Sequence, residues 1–185
     1  WELDKLRHYL DACGHCMRLF DVPLHYQFVK AATSNAQFDM AQILNNTLVQ
    51  TEPDAAVTFV DNHDTHPSQA LASWVPAWFK PLAYALILLR KEGIPCVFYG
   101  DLAGIPHDRI APVMGLERMI RARRDYAYGD QRDYFDDANL IGWTLSGDDQ
   151  HPHSGLAVIM SDAPGGTKTM ELGAALAGKT MLDVL

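Results

Sequence analysis

The 185-residue sequence has few basic residues, few cysteines and no long apolar run. Acidic side chains outnumber basic ones by 23 to 15, and the net charge of -8 argues against a surface that binds nucleic acid. The longest apolar stretch, residues 82–89, is too short to cross a bilayer, and no segment resembles a signal peptide. We therefore expect neither a nucleic-acid nor a membrane partner. The 48% of apolar residues is enough for a packed core.

Three cysteines, an odd number, do not suggest a disulfide framework and fit a reducing compartment. Cys13-Gly14-His15-Cys16 has the spacing of a redox pair. It follows a predicted helix and precedes a strand, however, whereas a redox pair follows a strand and opens a helix. A structural zinc site would need two more ligands at a suitable spacing. We expect a cytoplasmic monomer, and a secretion signal before Trp1 would overturn the location.

The ends of the sequence suggest a piece of a longer protein. The first residue is Trp1 and not methionine, and residues 180–185 form an apolar run that looks like an unfinished strand. A missing end can hide a targeting segment or half of an active site.

Apolar periodicity predicts alternating helices and strands in the first two thirds of the chain. We expect helices at 2–11, 38–44, 77–91 and 110–124, and strands at 17–20, 55–60 and 94–99. Such alternation indicates right-handed βαβ units and a parallel sheet. Beyond residue 130, short strands at 140–145, 155–161 and 167–172 predict an antiparallel β domain. The predicted domains are residues 1–129 and 130–185.

Polar side chains follow three of the predicted parallel strands. Asp61, Asn62, His63 and Asp64 come after strand 55–60, while Asp21 and Asp101 follow the strands before and after it. Because ligands of parallel α/β folds sit at the carboxyl ends of the strands, these residues predict a site at one rim. The same residue types also serve as helix caps and turn formers.

Seven segments together form a recognisable set: LFDVPL (19–24), FVDNHD (59–64), WFKPLAYA (78–85), GIPCVFYGD (93–101), YAYG (126–129), GW (142–143) and SDAPGG (161–166). They resemble the α-amylases of glycoside hydrolase family 13, particularly the bacterial liquefying and intracellular enzymes. FVDNHD resembles the family signature at the end of the seventh strand of a (β/α)8 barrel. The resemblance implies an α/β fold, namely the second half of a TIM barrel followed by the start of an antiparallel β-sandwich C-terminal domain.

The resemblance also implies an activity. Members of the family cleave internal α-1,4 bonds of starch or glycogen with retention, using a carboxylate nucleophile and a second carboxylate as acid/base. Asp64 matches neither of these: it matches a third acid that stabilises the transition state, and His63 matches a histidine that binds the same sugar. Trp1 matches an aromatic residue of the cleft, and Gln69 could bind a sugar hydroxyl. The nucleophile and the general acid would precede Trp1, so residues 1–185 alone are expected to be inactive.

A calcium site between barrel and β domain occurs in the liquefying relatives. By resemblance its carbonyl donors would be Ala36, Phe38 and Ala138, and its side-chain donors Asn139 and Asp162. Calcium prefers several carboxylates, so asparagine in place of an acid should weaken the site.

Two other functions fit the same residues. A family member can be an α-glucan transferase, which uses the same fold and site. A half barrel can also be a noncatalytic glucan-binding module, although cutting a barrel exposes strand edges and interior side chains.

Overall fold

The computed structural model describes residues 2–67 and 69–184, so the predicted cleft residue Trp1 lies outside the described residues. Within them, two three-stranded sheets organise the chain. The first is parallel, in the order β1 (Leu19–Phe20), β2 (Ala56–Phe59), β3 (Ile94–Cys96). The second is antiparallel, in the order β4 (Gln131–Tyr134), β5 (Leu140–Leu145), β6 (Leu156–Ser161). The fold is therefore mixed α/β, as predicted.

Six α-helices are present among the described residues: α1 (Leu3–Ala12), α2 (Val22–Thr33), α3 (Leu48–Thr51), α4 (Lys80–Leu88), α5 (Tyr99–Ala103) and α6 (Leu116–Tyr126). Short 3-10 turns lie at Met40–Gln42, Pro106–Asp108 and Ala174–Leu176. None of the helices described in residues 2–67 and 69–184 combines the length and the apolar character that crossing a membrane requires.

The parallel sheet is covered by apolar side chains from the helices that follow its strands. Leu24 and Phe28 of α2 and Tyr84 of α4 are buried in the same apolar cluster as Ala56 and Val60. A strand buried in this way needs apolar residues at nearly every position, which explains why β2 shows no alternation.

Polar contacts join the end of α4 to the antiparallel sheet. Trp143 of β5 is buried and donates from its indole Nε1 to the carbonyl of Leu89 at 2.8 Å. The buried Arg90 guanidinium donates to both carboxylate oxygens of Asp133, at 2.7 and 2.8 Å. Arg123 donates to the carbonyl of Arg90 at 3.1 Å. The bonds from Trp143 and Arg123 satisfy carbonyls that the end of α4 leaves without helical partners.

Helix α2 was not predicted from the sequence. The segment Asp21-Val22-Pro23 looks like the end of a strand, but it is also a helix start, because Pro23 lies in the first turn and Asp21 caps the helix. The Asp21 carboxylate accepts a hydrogen bond from the Leu24 N–H at 3.0 Å.

Other predicted elements differ from the structure in length or type. The predicted helix 38–44 is only the 3-10 turn Met40–Gln42, and the predicted helix 110–124 begins at Leu116, after Gly115 with φ +78°. The predicted strand 167–172 has no strand pairing, whereas β4 was not predicted. β4 is polar and half-exposed, so it lacks the apolar alternation that identifies a strand.

Candidate functional site

The loop after β2, residues 62–74 and hereafter the rim loop, carries His63 and Asp64. Asn62 folds its start, because Asn62 Oδ1 accepts from the N–H groups of Asp64 at 2.9 Å and Thr65 at 3.0 Å. The side chains of His63 and Asp64 remain 84% and 57% exposed, with Nε2 of His63 3.4 Å from Oδ1 of Asp64. The two predicted sugar-binding side chains are therefore adjacent and accessible.

Asp61, at the base of the rim loop, contacts both of its ends. The Thr65 hydroxyl donates to Asp61 Oδ1 at 2.8 Å and accepts from the Asn62 N–H at 3.0 Å. On the returning side, the Val75 N–H donates to Asp61 Oδ2 at 3.2 Å. The loop is thus closed through a single carboxylate.

A buried histidine from α2 closes the loop base a second time. His25 Nδ1 lies 2.6 Å from the Val60 carbonyl, so this nitrogen carries the proton and donates. Its Nε2 lies 2.8 Å from the Ser73 hydroxyl. Burial lowers the pKa of His25, which favours the neutral ring.

The Lys80 ammonium lies between two buried carboxylates. Its Nζ is 2.9 Å from Asp61 Oδ2 and also contacts Asp101 Oδ1, while the Tyr84 hydroxyl donates to Asp101 Oδ2 at 2.7 Å. Nζ also lies 3.2 Å from the centroid of the Trp74 ring. Burial raises the pKa of Asp61 to about 6, although the Lys80 charge opposes that rise. Burial and the Asp101 charge raise the pKa of Tyr84, so its proton stays in place.

The three strand-end aspartates are therefore not a set of exposed rim acids, and this part of the prediction is wrong. Asp21, Asp61 and Asp101 are all buried. Asp21 also accepts from the N–H groups of Leu48 at 3.0 Å and Val49 at 2.7 Å, and so caps two helices at once. Asp21 has the cap role and Asp61 the turn role that the same residue types allow, whereas Asp101 is the partner of Lys80 and Tyr84.

Gln69 lies on the exposed part of the rim loop, where its N–H donates to the His66 carbonyl at 3.1 Å. His66 faces the segment after α5: its Nε2 is 3.1 Å from Asp108 Oδ2. His107 Nε2 approaches the same oxygen at 3.1 Å. Polar side chains of the rim loop and of the segment after α5 thus meet at this edge.

Three of the predicted calcium donors come together where the turn after α2 meets loops of the antiparallel sheet. Asn139 Nδ2 donates to the Ala36 carbonyl at 3.0 Å and to Asp162 Oδ1 at 2.9 Å. The Ala138 carbonyl accepts from the Met40 N–H at 2.7 Å. Asp162 Oδ2 is buried and has no hydrogen-bond partner. Residues 36 and 139, more than a hundred positions apart, are joined by this cluster.

The donor chemistry suits a cation only after one change. As placed, the Asn139 amide directs N–H groups at the two oxygens that a cation would need. Turning the amide over would present Oδ1 instead, beside Asp162 with its unpartnered oxygen. Nowhere in residues 2–67 and 69–184 do three or more His, Cys, Asp or Glu side chains form a metal-binding group. A calcium site here would depend on carbonyl and amide oxygens.

Lys80, Thr65 and His25 are site residues that the sequence did not reveal. Lys80 begins an apolar helix, where a lysine normally extends into solvent. The sequence held one indication of the role of Lys80: an ammonium at the start of a buried helix needs an acidic partner.

No protein-family model matches the chain. Similarity to individual proteins is extensive. An "Alpha-amylase" of Geobacillus stearothermophilus is 51% identical over 185 residues, which is 100% of this chain and 34% of the relative. A "Glucan 1,4-alpha-maltohexaosidase" of Bacillus sp. (strain 707) is 50% identical over 99% of this chain and 36% of its own length. A "Cytoplasmic alpha-amylase" of Escherichia coli (strain K12) is 43% identical over 100% of this chain and 39% of its own.

Identity at this level shows that the chain is homologous along its whole length to a part of α-amylases, which are glycoside hydrolases. The chain spans between 34% and 39% of the length of these three relatives. The family resemblance found in the sequence motifs is thereby confirmed.

Proposed function

We propose that the full-length protein is a retaining, endo-acting α-amylase that hydrolyses α-1,4-glucosidic bonds of starch or glycogen. The observation that carries this proposal is the exposed pair His63 and Asp64, held on a loop whose base is closed by buried hydrogen bonds. Names of relatives support the substrate class, since two are α-amylases and one is a glucan maltohexaosidase.

In this proposal Asp64 stabilises the oxocarbenium-like transition state and does not attack the sugar. A carboxylate that grips ring hydroxyls accelerates the reaction if it binds the distorted ring more strongly than the relaxed ring. His63 binds the same glucose, Gln69 bonds a sugar hydroxyl and Trp1 stacks on a sugar face. The nucleophile and the general acid come from residues outside this chain.

The proposed architecture is the second half of a (β/α)8 barrel at residues 1–129 and the beginning of a β-sandwich at 130–185. Support comes from the parallel order β1-β2-β3, the antiparallel order β4-β5-β6 and the change between them near residue 130. A barrel would also account for the position of the rim loop, because barrel sites lie at the carboxyl ends of strands.

We further propose that calcium, where present, is held by the Ala36, Phe38 and Ala138 carbonyls with Asn139 and Asp162. The ion would supply charge that ties the two sheets together and would take no part in bond cleavage. The single carboxylate among these ligands argues for weak binding.

We also propose that the full-length protein is cytoplasmic and monomeric. The three free cysteines and the cytoplasmic relative of E. coli support that location. An α-glucan transferase is the alternative enzyme, and a noncatalytic glucan-binding module is the alternative without chemistry.

One experiment separates these functions. The full-length protein is incubated with a maltooligosaccharide of defined length, and the products are resolved by chromatography while NMR follows the new reducing ends. An α-amylase gives shorter chains that are first released as the α-anomer. Chains longer than the starting sugar would indicate a transferase, and binding without any product would indicate a noncatalytic module.

A further inference from the structure

The Asp61–Lys80–Asp101 cluster is unusual because it buries three charges with an excess of one carboxylate. The side chain of Lys80 is 2% exposed and those of both aspartates are 0% exposed. Buried ion pairs add little stability compared with apolar side chains of the same size. A buried cluster of this kind can instead hold the segments around it in one conformation.

The cluster joins the three segments that surround the rim. Asp61 follows β2 and closes the rim loop, Lys80 begins α4 and Asp101 lies in α5. The backbone carbonyl of Asp101 in turn accepts from the Val113 N–H at 2.7 Å. One ammonium thus holds together three elements that are distant in sequence.

A short series of hydrogen bonds leads from this cluster to Asp64. Lys80 contacts Asp61, Asp61 accepts from the Thr65 hydroxyl, and that hydroxyl accepts from the Asn62 N–H. Asn62 Oδ1 then holds the Asp64 N–H at 2.9 Å. Every member except Asp64 is buried or half-buried, so water competes little for these bonds.

The returning side of the loop is held by the same ammonium. Trp74 covers Lys80 with its ring and makes edge contacts with His66 at 5.3 Å and Phe98 at 6.2 Å between centroids. Ring and carboxylate therefore fix both sides of the loop relative to Lys80.

We propose that Lys80 is a positioning residue which, through Asp61 and Thr65, fixes the backbone from Asn62 to Thr65 and so the place of the Asp64 carboxylate. This inference rests on the proposed α-amylase function. A displacement of about 1 Å in a catalytic group can lower the rate by about 100-fold, so a loosened loop should affect turnover strongly.

The test is a double-mutant cycle in the full-length protein with Lys80→Met and Thr65→Val, which interrupt the same series at different links. We expect each variant to lower kcat by about 10- to 100-fold with a smaller change in KM. The double variant should be no slower than the slower single variant, because the first change already removes the positioning. Multiplication of the two effects in the double variant would overturn the proposal. If Lys80→Met does not fold, Asp61→Asn takes its place in the cycle.

Two further variants separate positioning from general destabilisation. Thr65→Ser keeps the hydroxyl, and we expect its kcat to stay within about 3-fold of the wild-type value. Asp21→Asn also removes a buried strand-end carboxylate but does not touch the rim loop. It should lower stability while leaving kcat at 25 °C unchanged. A fall in kcat for Asp21→Asn that matches Thr65→Val would contradict the proposed role.

Hydrogen exchange without glucan makes the test independent of activity. The amides of Asp64 and Thr65 should exchange faster in Thr65→Val and Lys80→Met than in wild type or Asp21→Asn. An inactive wild-type protein would refute the proposed function, and the exchange rates would still decide on positioning. Unchanged exchange at both amides would refute the positioning role.

Discussion

Replacing Lys80 with methionine removes the ammonium that contacts two buried carboxylates, Asp61 and Asp101. Breaking a buried charge cluster in this way destabilises a protein by about 3–5 kcal/mol, because the remaining charges are uncompensated. We expect a loss of this size at pH 8. Native proteins have a free energy of unfolding of about 5–15 kcal/mol, so the variant should still fold.

The loss of stability in Lys80→Met should be smaller at low pH than at high pH. Asp61 has a pKa raised from 3.8 to about 6, so its protonated form favours folding. The stability contributed by such a group is complete below its unfolded pKa and disappears as pH rises through its folded pKa. Removing the ammonium raises that folded pKa further. At pH 5 the Asp61 charge is then neutralised, and the loss should shrink to about 1–2 kcal/mol.

The assay is urea denaturation of wild type and Lys80→Met in the full-length protein at pH 5 and pH 8. Lys30→Met, which replaces an exposed lysine on α2, is the matched control. It should change stability by less than about 0.5 kcal/mol at either pH. An equal loss for Lys80→Met at both values of pH would refute the electrostatic reasoning.

Two other predictions concern the junction between the sheets. Trp143→Phe keeps an aromatic ring but leaves the buried Leu89 carbonyl without its indole donor. The free energy of unfolding, measured by urea denaturation, should therefore fall by about 1–3 kcal/mol. An unchanged value would show that another donor replaces the indole. Asn139→Asp adds a carboxylate beside Asp162 and Ala36. The melting temperature of this variant should therefore fall in EDTA and rise in millimolar calcium, and both changes should be larger than in wild type. Equal responses of variant and wild type to calcium would argue against a cation at this position.

The elements predicted best are those whose burial leaves a clear pattern in the sequence. Helix α1 has apolar Leu3, Leu6 and Leu10 at helical spacing, and β2 is almost entirely apolar or β-branched, so both were predicted within a residue or two. β5 and β6 were predicted for the same reason. Helix α2 was missed because Pro23 marks turns as well as helix starts.

Only the part of the site that lies within one short motif was predictable from the sequence. The motif FVDNHD places His63 and Asp64 just after a predicted strand, and the structure has both there, with exposed side chains. The burial of Asp21, Asp61 and Asp101 could not be read in this way, because it depends on partners up to 28 positions away. The role of Lys80 likewise follows from the convergence of α4 with the ends of β2 and β3, which only the fold provides.

We propose that Asp64 acts on the sugar at the transition state, and one measurement tests this role most directly. Asp64→Asn in the full-length protein is assayed for release of reducing ends from soluble starch, beside Asp54→Asn, an exposed aspartate at the opposite end of β2. We predict that kcat falls by about 1,000-fold or more for Asp64→Asn, with normal melting, and that Asp54→Asn keeps the wild-type rate. Near-normal turnover by Asp64→Asn would contradict the account.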